Sequence, residues 1–216
     1  MRGQLLLRKL ARKDVDKQKL AAAVVKQPAL LSEIFAGLSS DVATVKYGSV
    51  KILRIISESD PGILYPKISF LFDLLDSGNQ ILKWGGIIII ANLASVDSKR
   101  KIDKILARYM EPICGPELIT AGNVIGGAAK IALAKPKLTD RVVDEILKVE
   151  KARYQTPECR NVALGHAIEA LGRLFQQSKR REKILKLARK QLKNPRNATR
   201  KKAERFIKKL VDGQRR

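Results

Sequence analysis

Histidine, cysteine and aromatic residues are scarce in this chain, and each scarcity removes a class of function. One histidine, His166, and two cysteines, Cys114 and Cys159, occur in 216 residues. The cysteines stand 45 positions apart and form no CxxC pair, which excludes a zinc site of ordinary ligand spacing. They read as two reduced thiols of a cytoplasmic protein, because disulfides belong mainly to oxidising compartments. No metal and no cofactor is expected.

Long apolar runs are also missing. The most apolar stretch, KWGGIIIIANLA at 83–94, falls well short of the roughly 20 residues a membrane helix needs. The N-terminal MRGQLLLRK holds an apolar run of three, where a signal peptide needs about 7–15. Aromatics make up only 5% of a chain that is 45% hydrophobic. The core must therefore be built from Leu, Ile, Ala and Val, which favours helix packed on helix.

Negative charge is in short supply: 21 acidic residues face 44 basic ones, for a net +23. The imbalance is uneven. Residues 1–13 carry five basic and no acidic residues, residues 14–177 carry 22 and 18, and residues 178–216 carry 17 and three. The body at 28–177 is near neutral, and the C-terminal stretch at 178–216 holds most of the excess. Such a block is either a solubilising end or a patch for an anionic partner.

What the chain does contain is a repeat. KWGGIIIIANLA at 83–94 aligns with KYGSVKILRIIS at 46–57, an offset of 37 residues, and a third copy of the Gly and β-branched pattern lies at Gly122 to Val124. A second signature places Ile34, Ile68, Ile105, Ile146 and Ile184 at intervals of 34, 37, 41 and 38. Each interval has room for two helices and two turns. Leu64, Ile68, Leu71 and Leu75 follow helical spacing, as do Ile184, Leu185, Ala188 and Leu192. Turn signals separate the helices, and the prolines at 61, 116, 136, 157 and 195 read as helix starts. Asp41 and Asn79 are expected to cap the second helices of their pairs. No run alternates with period two, so strand content should be near zero. The second helix of pairs two and three is apolar nearly all round, as expected of an inner helix buried on several sides. Gly48, Gly85 and Gly122, with Gly126 and Gly127, read as packing glycines.

The second helices open on an apolar-basic dipeptide followed by small residues: Val45-Lys46, Leu82-Lys83, Ile119-Thr120, Cys159-Arg160 and Thr199-Arg200. This pattern, spanning about 28–211, resembles HEAT-type helical repeats. The resemblance implies an all-α, right-handed α-α superhelix, a HEAT-like solenoid of about five helix pairs. Residues 1–27 are expected to form leading helices that cap one 1–216 domain.

No phosphate loop, dinucleotide fingerprint, zincin motif or nucleophile elbow is present. Cys159 and His166 stand seven positions apart, about 10 Å along a helix and beyond hydrogen-bond reach. No catalytic residue is assigned. The expected function is that of a non-enzymatic scaffold binding an acidic protein or peptide along its concave face. Lys46, Lys83, Trp84 and Arg160 form the candidate ridge, and Lys51, Arg54, Lys130 and Arg173 extend it. Arg200, Lys201, Lys202, Arg205, Lys208 and Lys209 form a candidate patch for an anionic partner, to which Lys179 to Arg181 and the tail arginines at 215 and 216 add charge. The alternative is nucleic-acid binding through this basic end. Its narrower form is a resemblance to repair glycosylases made of HEAT-like repeats, for which no site residue transfers. A third reading has the repeat end dock on a larger assembly. No membrane association is expected.

Overall fold

The computed structural model describes residues 3–12 and 14–214. Arg215 and Arg216, counted above among the tail cations, lie outside them. The chain divides into two compact units, Met1–Lys99 and Arg100–Arg216. Every regular element among the described residues is helical.

The first unit contains α1 (Gly3–Leu10), α2 (Lys17–Lys26), α3 (Leu31–Gly37), α4 (Ala43–Ser59), α5 (Pro61–Leu64), α6 (Ile68–Asp73) and α7 (Gln80–Asn92). The second contains α8 (Lys101–Met110), α9 (Leu118–Ala134), α10 (Thr139–Leu147), α11 (Pro157–Leu174), α12 (Arg181–Gln191) and α13 (Asn197–Gln214). The five isoleucines of the second signature fall in α3, α6, α8, α10 and α12, and the apolar-basic dipeptides fall in α4, α7, α9, α11 and α13. The repeat read from sequence is therefore a repeat of helix pairs. Ahead of the first pair, α1 packs on α3 and α4, and α2 packs on α4 through buried Ala21 and Val24. Within the first unit α2, α4 and α7 pack in succession, and within the second α9, α11 and α13 do the same.

KWGGIIIIANLA shows why the inner helices are so apolar. In α7, Ile87, Ile89 and Ile90 are fully buried. The adjacent glycines point at two different neighbours. A Cβ on Gly85 would lie 2.4 Å from Val50 Cγ1 of α4, and one on Gly86 would lie 2.7 Å from Leu74 Cβ, in the turn that follows α6. Successive residues project about 100° apart around a helix, so the pair lets α7 close on its outer partner and its inner neighbour together. A buried hydrogen bond from Asn92 Nδ2 to Ser57 Oγ, 2.7 Å, joins α7 to α4 at the other end.

Three local expectations need correction. Asp41 does not cap α4: the cap position is Val42, whose own N–H is held by Ser40 Oγ at 3.2 Å. Asn79 does cap α7, accepting from Ile81 N and Leu82 N. Gly126 is not a packing glycine, because a Cβ there would meet open space. The outer element of the second pair is also broken rather than continuous. Pro66 opens a 3₁₀ turn, Tyr65–Lys67, between α5 and α6, because proline lacks the N–H that a continuous helix would use there.

No single helix among the described residues is long and apolar enough to cross a membrane.

Candidate functional site

In the first unit the inner-helix face carries a groove of about 500 Å³. Its floor is α4, where Tyr47, Lys51, Arg54 and Glu58 recur at helical spacing and so share one face. Ile55 supplies apolar surface over the buried Val50, Gln18 of α2 forms one wall and Ile81 of α7 the other. Lys51, Arg54 and Glu58 are exposed, and Ile81 keeps 42% of its surface exposed. The groove therefore combines an apolar strip with two cations and one carboxylate.

The structure places the first-unit candidates around this groove in different roles. Tyr47 lines it and accepts a hydrogen bond from Asn79 Nδ2 at 3.1 Å, so the ring also braces the start of the next inner helix. Lys46 and Lys83 each lie four residues past the cap of their helix, and both are half-buried. Trp84 is half-buried beside Gly85 and does not line the groove.

In the second unit much of the basic C-terminal block is consumed internally. Asp144 of α10 receives Arg180 Nε at 3.0 Å and Lys183 Nζ at 3.1 Å. Glu150 pairs with Lys190, Glu158 with Arg196, and Glu169 with Lys202. Asp140 Oδ1 accepts from Ser178 Oγ and from Lys179 N, each at 2.8 Å. Carboxylates of the fourth pair thus stitch down cations of the fifth. Sequence reasoning missed these acids. Their partners lie 33 to 40 residues on, close to the repeat period, and that spacing is the signal that could have found them.

Of the candidate anionic-partner patch, two members are engaged. Lys202 holds Glu169 at 2.9 Å, and Arg200 donates to Asn194 O and Asn197 Oδ1. Lys201, Arg205, Lys208 and Lys209 are exposed on α13 without an ion-pair partner among the described residues. Arg160, in the first turn of α11, is exposed as well.

The electrostatics follow these contacts. The hydrogen bond from Ser178 holds the Asp140 carboxyl below the usual carboxylate range. Partial burial would raise Asp144, but the bonds from Lys183 and Arg180 outweigh it and hold it low. Cys114 lines a hollow of about 290 Å³ with Arg141, Glu145 and Lys148. Burial pushes its thiol up and keeps it protonated against the pull of Lys148, the opposite of an activated nucleophile. Cys159 and His166 have separate surroundings. The Cys159 sulfur accepts from Thr156 Oγ1 at 3.1 Å, while the His166 ring lies about 3.5 Å from where a Gly122 Cβ would be. No cluster of three or more metal-ligating side chains occurs among the described residues.

No family model and no curated protein matches the sequence. Solved structures do match. The designed armadillo repeat protein YIII(Dq)4CqI is 17% identical with a TM-score of 0.62, covering 94% of this chain and 90% of its own. A second design, YIII(Dq.V1)4CPAF, solved in complex with the peptide (KR)4, is 17% identical with a TM-score of 0.59 over the same shares of both chains. A further engineered protein from the Northeast Structural Genomics Consortium is 15% identical with a TM-score of 0.55, covering 98% of this chain and 89% of that one. The fold is an all-α helical-repeat solenoid. At these identities the likeness speaks to fold alone.

Proposed function

We propose that this chain is a non-enzymatic repeat scaffold, of HEAT type, that holds an acidic protein segment across the inner-helix face of its first unit. The observation that carries this reading is the groove on α4, where Lys51 and Arg54 stand exposed beside the apolar surface of Ile55 and Ile81. An extended segment would bury apolar side chains on that strip and set carboxylates against the two cations. Electrostatic complementarity of this sort fixes register and selects partners more than it adds raw affinity. One similar structure carries the basic peptide (KR)4; the exposed cations here call for a ligand of opposite sign. The absence of an activated nucleophile or a convergent acid–base pair in the groove fits binding rather than turnover.

The test is fluorescence anisotropy with two labelled peptides, one alternating Glu with Leu and one alternating Lys with Leu. The acidic peptide should bind at least about tenfold more tightly. Joint Lys51→Glu and Arg54→Glu substitution should reverse that preference. Equal affinity for both peptides, or indifference to the double substitution, overturns the reading.

A further inference from the structure

A second groove lies at the basic end of the second unit, on residues the first groove does not involve. Its volume is about 600 Å³. It runs between α12 and the last turns of α13, over the C-terminal end of α11. The floor is apolar: Phe175, Leu185, Phe206, Ile207, Leu210 and Val211 line it. Phe175 and Phe206 meet edge to face with ring centroids 5.4 Å apart, so the floor is fixed by packing rather than collapsed. Ile207 and Leu210 are half-buried, and Val211 keeps 44% of its surface exposed.

The rim is cationic. Arg181, Arg189 and Lys209 border the groove, with Glu182 as the one carboxylate in its lining. Arg181 donates to Gln176 O at 2.8 Å, which holds its guanidinium over the end of α11. Arg189 and Lys209 have no ion-pair partner among the described residues. Just beyond the rim, Lys186 lies beside Glu182 and Arg189 and is likewise exposed and unpaired among the described residues.

The geometry points to a docking site for an amphipathic helix bearing carboxylates, supplied by a partner protein. Charge complementarity selects the sign. The joint between the fourth and fifth pairs uses the same chemistry, with Asp144, Glu150, Glu158 and Glu169 set against cations of the last pair. The cations left over on the groove side call for the same counterpart. Shape selects the helix. Arg181, Leu185 and Arg189 recur every fourth residue along α12, a span of about 12 Å, which matches two turns of a helix laid in a groove with apolar anchors at i, i+3 or i+4, and i+7. The apolar floor separates this occupant from nucleic acid, whose phosphates would engage the rim and leave the floor uncovered.

The experiment uses the full chain and three labelled peptides of about 18 residues, long enough for roughly five turns. The first places Leu on one helical face and Glu elsewhere; the second has the same composition shuffled to destroy the apolar face; the third replaces Glu by Lys. The first should bind at least about tenfold more tightly than either control. Leu210→Asp should weaken it by about tenfold or more, and so should Arg189→Glu with Lys209→Glu. The latter pair lies on the surface and keeps the test open if Leu210→Asp unfolds. All of these titrations are made in the full chain carrying Lys51→Gln and Arg54→Gln, where the first groove has lost both cations, so failure here and failure of the first-unit reading are told apart. Binding of the shuffled or Lys peptide within about threefold of the first overturns the assignment. So does a DNA duplex that binds more tightly and displaces the peptide.

Discussion

Asn79 holds Tyr47 with one end of its amide and caps α7 with the other. Its Oδ1 accepts from Ile81 N at 3.1 Å and Leu82 N at 3.2 Å, and its Nδ2 donates to Tyr47 Oη at 3.1 Å. One residue thus starts an inner helix and ties it to the preceding one. Asn79→Ala removes both functions and should cost about 1–2 kcal/mol. Tyr47→Phe removes only the tie and should cost about 1 kcal/mol or less, since the tie is partly exposed. The double variant should cost less than the sum of the two. Urea unfolding of the three variants measures the coupling; strict additivity would mean the bond contributes nothing.

The glycines of the inner helices should respond to alanine in opposite directions. A methyl at Gly85 would sit 2.4 Å from Val50 Cγ1, and Val50 is β-branched, buried and unable to swing away. Gly85→Ala should destabilise by about 1–3 kcal/mol through overpacking. At Gly126 nothing lies within 4 Å. There, Gly126→Ala should stabilise by roughly 0.5–1 kcal/mol, the helix-propensity difference. Thermal melts of the two variants should therefore move apart on either side of the parent.

These two cases mark how much of the molecule its sequence discloses. The pairing of helices was legible because it rests on period: Ile34 to Ile184 and Gly48 to Gly122 recur whatever the details of packing. The cap at Asn79 was legible because capping is local. Asp41 was misread because the cap falls one residue on, at Val42, whose N–H Ser40 Oγ already holds. Gly126 was misread because composition cannot say which side of a helix has a neighbour. The grooves were hidden for the same reason. Lys51 and Arg54 were legible as candidate surface residues, but a groove also needs Gln18 and Ile81 from other helices. Lys202 shows the converse error. It belongs to a run of cations in sequence, yet the fold spends it on Glu169.

Acid should loosen the last helix pair first. Asp140 and Asp144 both titrate below the usual carboxylate range, Asp140 through the bond from Ser178 and Asp144 through Lys183 and Arg180 against the cost of burial. Between the folded and unfolded values the unfolded chain binds more protons, so stability rises with pH there. The contribution is fully present above about pH 4 and is lost as pH falls through the folded values. Hydrogen exchange should show amides of α12 losing protection before those of α9 as pH drops. Asp140→Ala should remove part of this loss and cost about 1 kcal/mol near neutrality after allowance for solvent screening. Simultaneous loss of protection in both helices would argue that these carboxylates do not govern the last pair.

His166 should produce a second, separate pH window. Burial is the main cause of its lowered pKa. Lys202 lowers it further, and Glu169 pulls the other way. A base whose folded pKa is depressed stays neutral in the folded chain while the unfolded chain takes up a proton from about pH 6.5 downward. Stability therefore holds above that value and declines as pH falls toward the folded pKa. The Asp140 and Asp144 contribution begins only near pH 4, so the two effects fall in different ranges. NMR titration of the one histidine should give a midpoint below the ordinary imidazole value. Lys202→Met should move that midpoint up, since Glu169 then acts without its partner, yet not restore it fully, because desolvation remains. His166→Asn should abolish the slope of stability between about pH 7 and 5 and leave the acidic slope in place. A midpoint at or above the ordinary value would show that partial burial between α9 and α11 does not govern the ring.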